Sequence, residues 1–160
     1  AHHRHRRCTL KAKFSSVAST VVKLQHGEEA LEIRLEAAPL GFGQMLARLF
    51  PVPAAPVYYP SGGVAPIPKG HADPALAAKY AAWEAEVSDH SSMTTDILIA
   101  IAMGDAMDTP RPAMAAGTDF RAYALAIRAE WEAAHLHLGD RMALIHAYNE
   151  VQGLGERGKA

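Results

Sequence analysis

Cysteine is almost missing from this chain: Cys8 is the single one among 160 residues. No disulfide can therefore close within the chain, which excludes a stapled secreted scaffold and fits a reducing compartment. Long apolar runs are also missing. The longest, Ile97 to Met103, falls far short of the roughly 20 residues that cross a bilayer, so no membrane span is expected. Acidic residues are absent before Glu28, whereas Arg4, Arg6, Arg7, Lys11, Lys13 and Lys23 all precede it. Of 16 basic and 17 acidic residues, 10 and 17 remain from Glu28 onward, a balance of −7. A basic arm thus precedes an acidic body. The opening Ala1-His2-His3-Arg4-His5-Arg6-Arg7 has the charge of a signal n-region, but no apolar stretch of adequate length follows, so a secretory signal is not expected.

Hydrophobic residues make up 49% and charged residues 21%, a globular balance in a length that suits one domain. The domain is placed at 20–152, with a basic arm at 1–19, where Thr9 to Phe14 offers a third strand, and a flexible tail at 153–160. Thr20, Val22 and Leu24 alternate with other residues before His26-Gly27-Glu28-Glu29. Leu31, Ile33 and Leu35 then alternate with Glu32, Arg34 and Glu36, a period of two that predicts a β-hairpin with one buried face. Phe42, Met45, Leu46, Leu49 and Phe50 have helical spacing, and Pro51 stops the helix. Residues 51–70 hold six prolines and three glycines and form an extended excursion. Asp73-Pro74 is a helix start, with Asp73 as cap and proline at the first helical position. Leu76, Tyr80, Trp83, Val87, His90, Thr94, Ile97 and Ile101 then recur every three or four residues, a seam along one long helix that a second chain would complete. Ser88 to Thr95 is poor in strong helix formers, and a kink or break is expected there. Beyond a loop at 104–117, Asp119 opens a helix with Phe120, Ala124, Ile127, Trp131 and Ala134 on its buried stripe. Gly139 ends it, and Asp140 caps a last helix with Leu144, Ile145, Tyr148 and Val151 inward. The fold class is α+β, predominantly α: a small N-terminal hairpin or three-stranded sheet packed on three to four helices, one of them long.

Catalytic and metal motifs fail on context. His2, His3, His5 and Cys8 are ligand types for zinc, yet all lie in one terminus, whereas a structural site brings ligands from separated places. Glu132 and His135 have the E-x-x-H spacing of di-iron bundles, but the second such pair is missing. Their plain reading is a solvated helix face, with His135 and His137 pointing to different sides. His90 reads as a hydrogen-bonded core or interface residue. Asp89-His90-Ser91 has the residue types of a hydrolase triad, but adjacency in sequence is not triad geometry. Gly153-Leu-Gly-Glu-Arg-Gly158 spells a dinucleotide fingerprint without the strand before it and helix after it. No enzyme, cofactor or metal is expected. Two surfaces remain. Val57, Tyr58 and Tyr59 stand on a stiff proline-rich backbone, either as a binding strip or folded back on the long helix. Arg4, Arg6 and Arg7, with Lys11 and Lys13, offer phosphate contacts.

The hairpin ending Leu31-Glu-Ile-Arg-Leu35, the helix ending Leu49-Phe50, Pro51-Val-Pro-Ala-Ala-Pro-Val-Tyr-Tyr59, Gly62-Gly63, and Ala72-Asp73-Pro74 leading to Lys79-Tyr80-Ala-Ala-Trp83-Glu84 resemble one protein group. These are the tail assembly chaperone-like proteins of long-tailed bacteriophages, and the resemblance covers residues 21–103. It implies a non-enzymatic factor that holds a tape-measure protein soluble and helps recruit tail-tube subunits in the host cytoplasm, or one that stays in the virion. Partner contact then falls to Phe50, Val57, Tyr58, Tyr59, Tyr80 and Trp83, with self-association along the helical seam. The alternative is a nucleic-acid-associated accessory or virion protein using the basic arm.

Overall fold

The computed structural model of the chain describes residues 16–153. The expected strand at Thr9 to Phe14 and the basic residues Arg4, Arg6, Arg7, Lys11 and Lys13 lie outside them.

The period of two becomes an antiparallel hairpin of β1 (Ser19–His26) and β2 (Glu29–Glu36). Val22 stands opposite Ile33 and Thr20 opposite Leu35, so one face carries the buried Val22, Leu24, Ile33 and Leu35. The other carries Val21, Lys23, Glu32 and Arg34 to solvent. His26 pairs with Glu29 across a two-residue turn, and Gly27 takes φ 60° there, the left-handed conformation such turns require. The sheet has two strands among the described residues.

Helix α1 (Phe42–Leu49) buries Phe42 and Leu46 and ends where proline follows Phe50. The proline-rich segment then folds back as a strap over the long helix α2 (Pro74–Met103). Its backbone turns through a ladder of β3 (Val57–Tyr58) and β4 (Ala65–Pro66), the Ile67 amide donates to Pro56 O, and the Ile67 side chain is buried. The Trp83 indole donates to Pro53 O at 3.0 Å, and His90 Nε2 lies 2.9 Å from Phe50 O with the two rings 4.2 Å apart. The strap and the segment leading into it thus meet the seam from within the chain.

Helix α2 starts as its cap predicts: Asp73 accepts from the Ala75 amide, with proline in the first turn. At 1.5 Å per residue its 30 residues span about 45 Å. Its fully buried side chains all lie from Met93 onward, while Leu76, Tyr80, Trp83, Val87 and His90 are half-buried. The break expected within Ser88 to Thr95 does not occur, and α2 runs through it unbroken. Weak local propensity is overridden there by bonds that other helices make to this stretch, while its threonines bond back to their own helix. Thr94 and Thr95 donate to the carbonyls of His90 and Ser91, and Ser92 is gripped from two other helices.

A 3-10 turn at Gly104–Ala106 and a loop follow, and Glu130 holds the loop by accepting from the amides of Asp108 and Thr109. Helix α3 (Phe120–Ala133) is capped by Asp119, which accepts from the Ala122 amide, and helix α4 (Leu138–Val151) completes the fold. The hairpin's inner face and the three long helices share one core around Leu35, Leu46, Ile97, Ile99, Ile127 and Leu144, all with zero exposure. The α+β, mainly helical architecture expected from the sequence is the one observed. No helix among the described residues is long and apolar enough to cross a membrane.

Candidate functional site

A carboxylate sits inside this core. Asp96 follows Met93 by one turn of α2 and precedes Ala100 by another, so helical geometry sends it into the interior, and it is 1% exposed. An isolated buried carboxylate would cost several kcal/mol, roughly, and burial of this kind demands partners. Two arginines supply them. Arg128 of α3 donates Nε to Asp96 Oδ2 at 2.9 Å, and Arg141 of α4 donates Nε to Oδ1 at 2.9 Å. Both guanidiniums also reach the Ser92 hydroxyl at 3.1 Å, one turn back on α2. Arg128 extends to Asp89 at 3.1 Å, and Arg121 approaches the other oxygen of Asp89 at 3.7 Å. Burial would lower the Arg128 pKa, but its bonds to Asp96 and Asp89 outweigh that and hold it above the ordinary value, so it stays charged. One buried anion thus fixes the mutual placement of three helices. Three guanidiniums face two carboxylates.

Beside this network lies a cavity of about 550 Å³. Ser92, Asp96, Arg128 and Arg141 form its polar wall, while Trp131, Leu138 and Leu144 line the apolar side. The Trp131 indole is held in place by a contact from its N–H to Met107 Sδ at 3.3 Å. Glu132 stands on the rim, and its exposed carboxylate faces the same space.

No protein-family model, curated protein or solved structure matches this chain. Its chemistry is therefore read from the geometry.

A second polar cluster joins the hairpin to α4. His137 caps α4 by accepting the Asp140 amide at Nδ1, and Asp140 returns the favour by accepting the His137 amide at 3.0 Å, a reciprocal capping box. His26, at the end of β1, lies 2.6 Å from the same Asp140 oxygen. The three candidate ligand atoms fall within 4.8 Å of one another, the spacing of a metal centre. The ring geometry argues otherwise. The His26 and His137 imidazoles are stacked, 4.5 Å apart and 17° from parallel. A metal must lie near the plane of each imidazole at about 2.0 Å from its nitrogen, and two stacked, almost parallel planes share no such point. His26 Nε2, His137 Nδ1 and Asp140 Oδ2 are also taken up by the cap and by the His26 bond. The cluster is a clasp that docks the hairpin on the first turn of α4.

Burial alone would raise the Asp140 pKa, but bonds from the His137 amide and from His26 hold it below its ordinary 3.8. Glu130, against its own burial, is likewise held below 4.5 by Thr109 and by the Asp108 and Thr109 amides. Each folded carboxyl binds its proton less readily than its unfolded counterpart. The stability they contribute is therefore complete above the unfolded values and is lost as pH falls through the lower, folded ones. Urea unfolding between pH 6 and 3 is expected to show stability declining below about pH 4.5, and Asp140→Asn is expected to flatten that decline while lowering stability at neutral pH. An unchanged acid limb in Asp140→Asn would contradict the clasp.

The sequence-predicted site residues divide. Phe50 is packed half-buried between His90 and Phe120. Tyr80 and Trp83 are half-buried on α2, edge to face with each other, and the Trp83 N–H is already bonded to the strap. Tyr58 lies against His71, whereas Val57 is 47% and Tyr59 74% exposed. Tyr58 is thus turned inward against the segment before α2, while Val57 and Tyr59 stay exposed. Two local readings need correction. Gly139 does not end a helix and Asp140 is not its cap: α3 stops at Ala133, His135 turns the chain with φ 60°, and His137 is the cap with Gly139 already helical. Glu132 and His135 therefore do not share a helix face, and neither His135 nor His137 is a helical residue, since the first lies in the turn and the second is the cap.

Proposed function

We propose that this chain is a non-enzymatic assembly factor that acts through protein contacts, of the kind that serves bacteriophage tail morphogenesis. The observation that carries the reading is the strap. Val52, Val57, Tyr59 and Val64 are exposed on it, while the backbone that bears them is fixed by the Trp83–Pro53 bond, the β3–β4 ladder and buried Ile67. Apolar side chains displayed on an already ordered backbone bind a partner without a large ordering cost. The resemblance of residues 21–103 to tail assembly chaperone-like proteins supplies the class of partner, a long helical tape-measure or tube-type protein in the host cytoplasm.

Co-expression with a tape-measure-type protein, affinity capture and light scattering of the eluate test this. The chain is expected to retain the partner in soluble form, and Val57→Ser with Tyr59→Ser is expected to reduce capture at least tenfold. The thermal midpoint should move by no more than about 2 °C, because exposed positions contribute little to stability. Capture that survives this double substitution would remove the strap from the reading. Salt-sensitive retention on DNA, lost on deleting residues 1–13 and with no protein partner, would replace it with the nucleic-acid alternative.

A further inference from the structure

We infer that the cavity between α2, α3 and α4 is a binding site for an apolar residue bearing a free carboxylate, whether a small carboxylic acid or the C-terminal residue of a peptide. The inference rests on the polar wall and does not depend on the proposed assembly role.

The wall is built rather than incidental. Asp96, 1% exposed, holds the Nε of both Arg128 and Arg141, which removes the rotational freedom that an arginine on a surface would have to give up on binding. Arg141 uses Nε and one terminal nitrogen on Asp96 and Ser92, and its Nη1 has no acceptor among the described residues. The Ser92 oxygen accepts from both guanidiniums, which leaves its own proton to donate, and Ser92 lines the cavity. Ser92 and Arg141 both line the cavity, and each has a donor that no acceptor among the described residues takes up. One guanidinium N–H and one hydroxyl can each serve an oxygen of a carboxylate, and the bond from the charged guanidinium is the stronger of the two.

Charge agrees. Arg121, Arg128 and Arg141 outnumber Asp89 and Asp96 by one, so the network carries an excess positive charge. The opposite side of the cavity is apolar: Trp131 is pinned by Met107, Leu144 is buried, and Leu138 is 73% exposed at the mouth. A space of about 550 Å³ takes one amino-acid-sized apolar group with its carboxylate. Two like charges line the cavity: Asp96, whose oxygens are each held by an arginine, and Glu132 on the rim, which being exposed is screened.

Four probes test the site: 3-phenylpropionate and its amide, and acetyl-Gly-Gly-Leu as free acid and as amide. The reporter is Trp131 fluorescence in a Trp83→Phe background, which leaves one tryptophan. Saturable quenching by either acid below 10 mM, with the matching amide at least tenfold weaker, is the expected result. Tighter binding of the peptide acid would identify a chain terminus as the source, and tighter binding of phenylpropionate a small molecule. Leu138→Asp changes an exposed residue outside the core and should weaken acid binding at least fivefold without a change in thermal midpoint. Glu132→Gln should strengthen it about two- to fivefold. No saturable signal, or equal signals from acids and amides, would overturn the inference.

Discussion

Asp96→Ala is expected to lower the unfolding free energy by about 3–5 kcal/mol, because it leaves two guanidiniums in the interior without their anion. In a chain of this size that corresponds to a fall of roughly 10 °C in thermal midpoint. The loss should appear in urea as a lower midpoint with an unchanged slope. The comparison that gives the result meaning is Asp96→Leu with Arg128→Met and Arg141→Met, in which the buried carboxylate and both of its arginines become apolar while the half-exposed Asp89 keeps Arg121. Removing these three charges removes their desolvation cost along with the attraction, so this triple variant should recover most of the lost stability and can exceed the starting protein by about 1–4 kcal/mol. A single substitution that costs less than about 1 kcal/mol would mean that water reaches Asp96 in solution. A triple variant as unstable as the single one would mean that the ion network, beyond avoiding an unpaired charge, supplies net stability.

If the triple variant recovers, the network is retained for something other than stability, and carboxylate binding is the role its geometry suits. The two experiments therefore bear on one question from opposite sides. The apolar triple variant should fold well and bind neither acid probe.

The hairpin, α1 and the starts of α2 and α3 were legible because their signals are local. Alternation at Leu31, Ile33 and Leu35, proline after Phe50, Asp73 before Pro74, and Asp119 one residue before Phe120 each act within a few positions of chain. The polar network was not, because Asp96 meets Arg128 and Arg141 across 32 and 45 residues, and nothing in the spacing joins them. One local sign was present: an aspartate beside an apolar run, one turn from Met93 and one from Ala100, on the face that the helix buries. The α3–α4 junction was misplaced for a different reason. Histidine is not a usual helix cap, so Asp140 took that role in the sequence reading, although in the structure it is the third residue of a capping box whose first member is His137. The break expected in α2 does not occur, because local propensity takes no account of what Ser92 and Asp96 touch on the other helices. The candidate site was illegible as a whole because its members come from three helices, and only the folded chain sets Ser92, Arg141 and Trp131 around one space.

Trp131→Ala is expected to cost about 3–5 kcal/mol, the range for removing a large aromatic side chain from a core. Trp131 is 7% exposed, lies on the same stripe as Phe120, Ala124 and Ile127, and forms the apolar side of the cavity. Truncation would merge its volume with a cavity that already has polar groups on its far wall, so water can enter, unlike a sealed apolar void, which stays dry. Two consequences separate this from an ordinary core deletion. Trp131→Phe should retain most of the stability, since the contact it gives up, from the indole N–H to Met107 Sδ, involves a weak acceptor. Indole added at millimolar concentration should raise the thermal midpoint of Trp131→Ala by several degrees and leave the unsubstituted protein unmoved, by the mass-action stabilisation that any ligand of the folded state provides. A loss below about 1.5 kcal/mol, well under the range for a packed aromatic, would show that the indole is not held between α3 and Met107. The carboxylate site would then lose its apolar wall, whatever the arginines do.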